Sequence, residues 1–230
     1  MTEAIVSDFA PGDGSAGDRI WLADWRRRIA ELYVEVRRLS VGDVERALTL
    51  WRDERERLFR GHPQSPVPPA ARADFRARHF PHDPAVRFEV AVEPATDLTG
   101  TMGAFSGGAG LALPVSDGGE MRFARIGTID LPFPEGSRRL GVYWMSGYAG
   151  GLFVPFRDAT NGRETYGAGR YAIDAAKSAD LGSDPAQGKI VVDFNFAFQP
   201  SCAFDPRWAC PLAPPENRLD VEVRAGERLA

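Results

Sequence analysis

Two hydrophobic periods divide the chain. From Ile20 to about Gly61 apolar residues recur at steps of three and four, which puts Leu22, Trp25, Ile29, Leu32, Val36 and Leu39 on one seam of a helix. Arg26, Arg27, Arg28, Glu31, Glu35, Arg37 and Arg38 fill much of the rest. Ser40-Val-Gly-Asp43 then resembles a capping box with Asp43 in the place of the usual Glu or Gln. It predicts a second helix from about Val44 that carries Val44, Leu48, Trp51 and Leu58 on one side and ends near Gly61. The seam suits either the domain's own core or a second copy of the same helix in a homodimer.

His62 to Pro69 (HPQSPVPP) reads as an extended connector, and Ala70 to Phe80 as a short helix stopped by Pro81. After that the period is two. Val86, Phe88, Val90 and Val92 alternate with Arg87, Glu89 and Glu93. Further strands are expected at 110–115, 121–133, 140–145, 152–156, 164–174, 189–198 and 219–224, separated by Gly, Pro, Asn, Asp or Ser clusters. Many short strands with little helix between them predict an α+β protein: a mostly antiparallel, strongly curved or barrel-like β-sheet with an N-terminal helical arm. The expected organisation is a flexible tail over 1–18, a helical arm over 19–61 and a β-rich domain over 62–230. That domain closes with a proline-rich loop strapped over the sheet and anchored by Phe204, Trp208 and Leu212.

The densest polar pattern is Phe153 to Asp174, FVPFRDATNGRETYGAGRYAID. Asn161-Gly162 predicts a two-residue hairpin turn, because a type I′ turn takes positive φ at both central positions. The implied register puts Arg157, Glu164, Tyr166 and Arg170 on one face and Phe156, Asp158, Thr160, Thr165 and Tyr171 on the other. On the strand that follows, Ile190, Val192, Phe194, Phe196 and Phe198 form an apolar face, opposite Asp193 and Asn195. If the sheet closes, Arg157, Arg170, Tyr166, Asp193 and Asn195 converge, and the guanidinium forks suit a carboxylate or phosphate. A salt-bridged structural network reads the same way.

Composition narrows the picture. The chain has 230 residues, 43% hydrophobic, with a net charge of −4. That is enough for a sizeable core and gives no general pull toward nucleic acid or anionic membrane. No apolar run is long enough for a membrane span, and the acidic start MTEAIVSDFAPGDGSAGD lacks the pattern of a secretory signal, so a cytoplasmic location is expected. Cys202 and Cys210 are too far apart for a Cys-x-x-Cys pair, leaving separate buried thiols, a disulfide or half a metal site open. His79 and His82 complete such a site only by residue type, so no metal or other cofactor is expected. The glycine-rich GTMGAFSGGAG at 100–110 lacks the Gly-Lys-Ser/Thr ending of a phosphate loop and reads as a turn.

FRDATNGRETYGAGRY, DFNFAFQPSCAF, CPLAPPENRL and RAGE resemble the signature of a bacterial family known as domain of unknown function 1684. The resemblance runs from about Trp51 to Glu227 and is densest from Phe153 onward. This chain departs from the signature at Phe198-Gln199, where the family has a Tyr-Asn pair, and at Ala168, where glycine is common. The resemblance implies a shared β-rich fold and polar cluster but no activity and no catalytic residues. It gives emphasis to Asp158, Thr160, Thr165, Tyr166, Arg170, Asp193, Asn195, Cys202, Cys210, Glu216, Asn217 and Glu227.

Three functions follow as expectations. One is binding of a small polar or anionic molecule by Arg157, Asp158, Thr160, Tyr166, Arg170, Asn195 and Asn217. Another is hydrolase- or lyase-type chemistry in the same cleft, with Asp193 or Glu216 as general acid or base. The third is a structural or interaction role through the N-terminal helices.

Overall fold

The computed structural model describes residues 14–95, 111–116, 118–146 and 150–229. The glycine-rich run at 100–110 lies outside them. Helix α1 spans Ala16–Ser40, with Ser15 as its N-cap accepting from the Asp18 amide. It therefore starts inside the stretch read as a tail. Helix α2 spans Val44–Gly61. Its cap is Asp43, which accepts from the Arg46 amide at 3.0 Å. Ser40 was expected to cap this helix. Its hydroxyl instead bonds back to the Val36 carbonyl at 2.7 Å and closes α1.

The strands are β1 (Arg78–His79), β2 (Arg87–Ala91), β3 (Glu93–Pro94), β4 (Leu111–Pro114), β5 (Glu120–Phe133), β6 (Gly136–Met145), β7 (Gly151–Phe156), β8 (Arg170–Asp174), β9 (Ser183–Asp184), β10 (Lys189–Asp193) and β11 (Glu227–Arg228). The largest sheet is antiparallel in the order β3-β5-β6-β7-β8, with β4 also on β5. A second sheet has the order β2-β10-β9, and β1 pairs with β11.

The protein is α+β, but the expected barrel-like closure is not found. The edges of the large sheet, β3 and β8, do not pair with each other. β3 follows directly on β2, which belongs to the second sheet, and β8 takes only isolated bridges, from Phe198 and Ala179, on its outer edge. The sheets stack instead of closing. Val86, Phe88, Ile129, Leu131, Leu140, Val142, Val154, Ile173, Ile190, Val192 and Phe194 fill the layer between them.

The other face of the large sheet is covered by the helices. Ile29, Leu32, Val36, Leu48, Trp51 and Leu58 pack with Phe123, Tyr143, Phe153 and Tyr171. The seam of α1 is therefore taken up by this chain's own sheet. A register shift between Arg125 and Gly127 inserts one residue into β5. It turns Phe123 toward the helices and Ile129 and Leu131 toward the second sheet, although all three positions are odd. Trp51 also donates its indole N–H to the Tyr33 hydroxyl at 3.1 Å, so its burial leaves no polar atom unpaired.

Three elements differ from the sequence reading here. The strand expected over 219–224 is irregular up to β11. Residues 70–80 form no α-helix; a 3-10 turn at Pro69–Ala71 leads to β1. Arg72 is drawn back to the connector carbonyls of Val67, Pro63 and Ser65, and 78–79 pair with 227–228. The strand expected over 189–198 ends at Asp193, whose carboxylate caps a 3-10 turn at Phe194–Phe196. That turn sends Phe194 into the inter-sheet layer and Phe196 and Phe198 to the helices. No helix among the described residues is long and apolar enough to cross a membrane.

Candidate functional site

Residues 157–169 form a connection between β7 and β8, not the expected hairpin. Of the two turn residues only Gly162 has positive φ, at 78°. Asn161 is held otherwise. Its side chain accepts from the Asp158 amide at 2.7 Å and donates to the Thr165 hydroxyl and the Tyr166 carbonyl. Thr160 donates to Asp158 and lies 2.8 Å from the Thr165 hydroxyl. Short polar side chains have replaced the cross-strand ladder with a buried knot.

Arg170 closes that knot. It is 0% exposed, and its guanidinium donates to the carbonyls of Ala225 (2.5 Å), Glu227 (3.0 Å) and Val223 (2.7 Å). Asp158 lies 3.4 Å away and also accepts the Val223 amide at 2.7 Å. Burial pulls Arg170 down to about 10, with Asp158 and Glu227 opposing, so it stays charged at neutral pH. Arg157 is half-buried and points elsewhere, to the Ala168 carbonyl at 3.4 Å.

The other expected site residues are bound into separate networks. Asn195 accepts the Asp83 amide and donates to the Asp83 carbonyl and Asp193. Asp193 is 1% exposed, and burial raises its carboxyl above the usual range. Asn217 is wedged between β6 and β7, accepting the Gly141 amide at 2.7 Å and donating to the carbonyls of Gly141 and Pro155. Glu216 is exposed and accepts the Tyr143 hydroxyl at 2.7 Å. Burial, and then this bond, push the Tyr143 hydroxyl well up. The expected convergence of Arg157, Arg170, Tyr166, Asp193 and Asn195 on one cleft does not occur. Most of the Arg170 and Asn195 bonds go to the chain's own backbone or to neighbouring side chains, because the irregular C-terminal segment has no sheet of its own to satisfy it.

A cleft lies elsewhere, between α1 and the strap 199–211. Trp25, Ile29, Lys177 and Ser201 line both of its lobes. One lobe runs to Tyr171, Phe198 and Gln199, and the other to Arg26, Trp208 and Cys210. The lobes have volumes of about 60 and 170 Å³, below the roughly 300–1,000 Å³ of a drug-sized ligand's site, so they leave room only for a compact ligand. The strap leaves this gap because Pro200, Pro206 and Pro211 keep it out of the sheet, while Tyr171 holds it by donating to the Pro211 carbonyl at 2.6 Å.

The polar groups of the cleft are distinctive. Lys177 is half-exposed and pairs with Asp174 at 2.9 Å. Arg26 is exposed and has no acidic partner among the described residues. The indole N–H of Trp208, the Gln199 side-chain oxygen and one Asp174 oxygen are buried without hydrogen-bond partners. Cys202 and Cys210 are buried free thiols, and the Cys202 amide donates to the Cys210 sulfur at 3.3 Å. Of the residues emphasised from sequence, Cys210 lines the cleft, and Tyr166 lies beside Cys202. Lys177, Arg26 and Trp208 carry no local signal, since three distant segments bring them together. Among the described residues no group of three His, Cys, Asp or Glu side chains is arranged to hold a metal ion.

Fold and site define an α+β protein: a helical hairpin over an open antiparallel sheet, with a small cleft of mixed polarity beneath the first helix. The chain belongs to the family described as "Protein of unknown function (DUF1684)", which matches residues 75–228. It is also similar to an uncharacterized protein of Haloarcula marismortui known from a solution NMR structure. The two are 33% identical with a TM-score of 0.56, over 80% of this chain and 94% of that one. No curated protein matches the chain.

Proposed function

We propose that the protein binds a small organic anion in the cleft between α1 and the strap, its charged group at Lys177 and Arg26 and its apolar body against Trp25, Ile29 and Trp208. The observation that carries this is a cleft that presents two cations beside the ring of Trp208, whose indole N–H has no hydrogen-bond partner. A buried donor left without an acceptor costs about 1–3 kcal/mol, and a carboxylate or phosphate oxygen would recover it. The orphaned Gln199 oxygen in the adjoining lobe would take a donor from the same ligand. This moves the anion site away from Arg170, which has no free surface.

A thermal-shift screen of small carboxylates and phosphate esters tests the proposal. A hit at 100 times its Kd stabilises the wild type by about 2.7 kcal/mol. Lys177→Ala and Trp208→Phe should each lose most of that shift, and the neutral amide of the same compound should give little. Equal shifts for wild type and Lys177→Ala, or for acid and amide, would place any ligand outside this cleft.

A further inference from the structure

The two cysteines sit in a setting that their spacing in the sequence does not suggest. They are eight positions apart, yet the Cys210 sulfur is 3.3 Å from the amide nitrogen of Cys202. In a bridged pair the Cα atoms are about 4.4–6.8 Å apart, so a sulfur already resting on the partner's backbone is within reach of bonding. Both residues are fixed from outside the pair. The Cys210 amide donates to the Ser116 hydroxyl at 3.0 Å, and its carbonyl accepts the Ser116 amide at 3.0 Å. Cys202 is set in the 3-10 turn Ser201–Ala203.

The surroundings are polar on the sulfur side. Its neighbour Cys210, with smaller contributions from the nearby Ser116 and Tyr166, holds the Cys202 thiol below its ordinary range although burial opposes it. Cys202 in turn, together with burial, pushes the Cys210 thiol up. Cys210 lines the cleft beside Ser201 and Lys177, which gives a small molecule a route to the pair. Cys202 is 7% exposed and Cys210 4%, which disfavours a bulky reagent. Two free thiols held side by side at the edge of a cleft are the arrangement that an attacking and a resolving cysteine require.

We propose that Cys202 and Cys210 form a modification site for small hydroperoxides, at which the pair closes to a reversible intramolecular disulfide. The Cys202 thiolate attacks one peroxide oxygen. The O–O bond breaks, the Cys202 sulfur is oxidised by two electrons to a sulfenic acid, and the peroxide's other oxygen leaves and takes up a proton as water or an alcohol. The Cys210 sulfur then attacks the Cys202 sulfur, the S–O bond breaks, and the hydroxyl departs as water with the Cys210 proton. In sum, two thiols and one hydroperoxide give one disulfide, one alcohol or water, and one further water. Reduction by a dithiol restores both cysteines. This inference is independent of the anion proposed for the cleft.

The chain contains two cysteines, so intact mass reports the outcome without ambiguity. Wild-type protein exposed to stoichiometric hydrogen peroxide should lose two hydrogens in mass. It should also lose both sites of maleimide labelling in denaturant, and dithiothreitol should restore them. Cys210→Ser should stop at one added oxygen, trapped on Cys202 by dimedone. Cys202→Ser should take up oxygen about tenfold more slowly. Two thiols that stay fully labelled in the wild type, oxygen added to both cysteines with no loss of hydrogen, or bridges formed only between molecules would each overturn the proposal. The wild-type measurement decides this even if a variant fails to fold.

Discussion

Arg55 and Glu227 are 172 residues apart in sequence and 2.8 Å apart in space, Nε to Oε1, with both side chains almost fully buried. The guanidinium also lies over the rings of Trp51, Phe59 and Phe198, at 5.2, 4.8 and 4.9 Å. The second Glu227 oxygen accepts the Gln199 amide at 2.8 Å. One ion pair thus pins α2, the start of the strap and the last strand together. Glu227→Ala strands a buried cation and should cost about 3–5 kcal/mol in urea unfolding. The double variant Arg55→Met with Glu227→Leu should lose less than Glu227→Ala alone, because neither charge is then left unpaired. A double variant that lost the sum of the single losses would refute the coupling.

Arg170 acts as a clamp on residues 223–227. Lysine keeps the charge but not the fork that reaches three carbonyls. Arg170→Lys should lower stability by about 2–4 kcal/mol and speed amide exchange across 223–228. Unchanged exchange in that segment would show that the clamp is not needed to order it.

Gly226 holds φ at +74°, and a Cβ there would meet the carbonyl oxygens of Ala197 and, at 2.6 Å, Phe194. Backbone cannot move aside as a flexible side chain can. Gly226→Ala should therefore cost more than about 3 kcal/mol. Gly188, at φ +63° with nothing within 4 Å of the same added atom, is the control and should cost about 1 kcal/mol. Equal losses in thermal unfolding would mean that the close approach carries no weight.

His79 provides a pH signature. Burial lowers its imidazole from 6.5 to about 4, the ring edges against Trp51 at 5.3 Å, and its Nε2 is buried with no hydrogen-bond partner. In the unfolded chain the group titrates near its ordinary value of about 6.5. As the pH falls through 6.5 the unfolded chain takes up a proton that the folded one refuses, so stability drops. The loss grows until about pH 4, where both states are protonated, and reaches on the order of 3 kcal/mol. His79→Gln should remove this part of the slope between pH 6.5 and 4. A variant curve parallel to the wild type over that range would refute the assignment.

The period-three-and-four seam mapped onto the two helices, and the period-two runs over 121–133, 140–145 and 152–156 onto strands, because each is a local statement about which side chains share a face. Val44–Gly61 was readable to within a residue or so from its local pattern, although the cap is Asp43 and not the expected Ser40. The polar residues were harder. Asn161-Gly162 signals a hairpin locally, yet Asn161, Asp158 and Thr165 bond to one another and leave only the glycine at positive φ. Asp193 looks like one more alternating strand position until its carboxylate takes the Asn195 amide at 2.9 Å and ends the strand. In both places a short polar side chain competed with the ladder for backbone partners.

Sequence alone determined the α+β class, the two N-terminal helices, most strands of the large sheet and the family. Those follow from short-range periodicity, caps and contiguous motifs. Only the tertiary structure decided that Arg170 and Asn217 are spent on distant carbonyls, that the sheets stack without closing, and that a cleft lies beneath α1. The physical reason is that these depend on hydrogen bonds spanning 53 to 76 residues, and on a cleft whose walls, near positions 25, 64, 177 and 208, become neighbours only when the helices dock on the sheet.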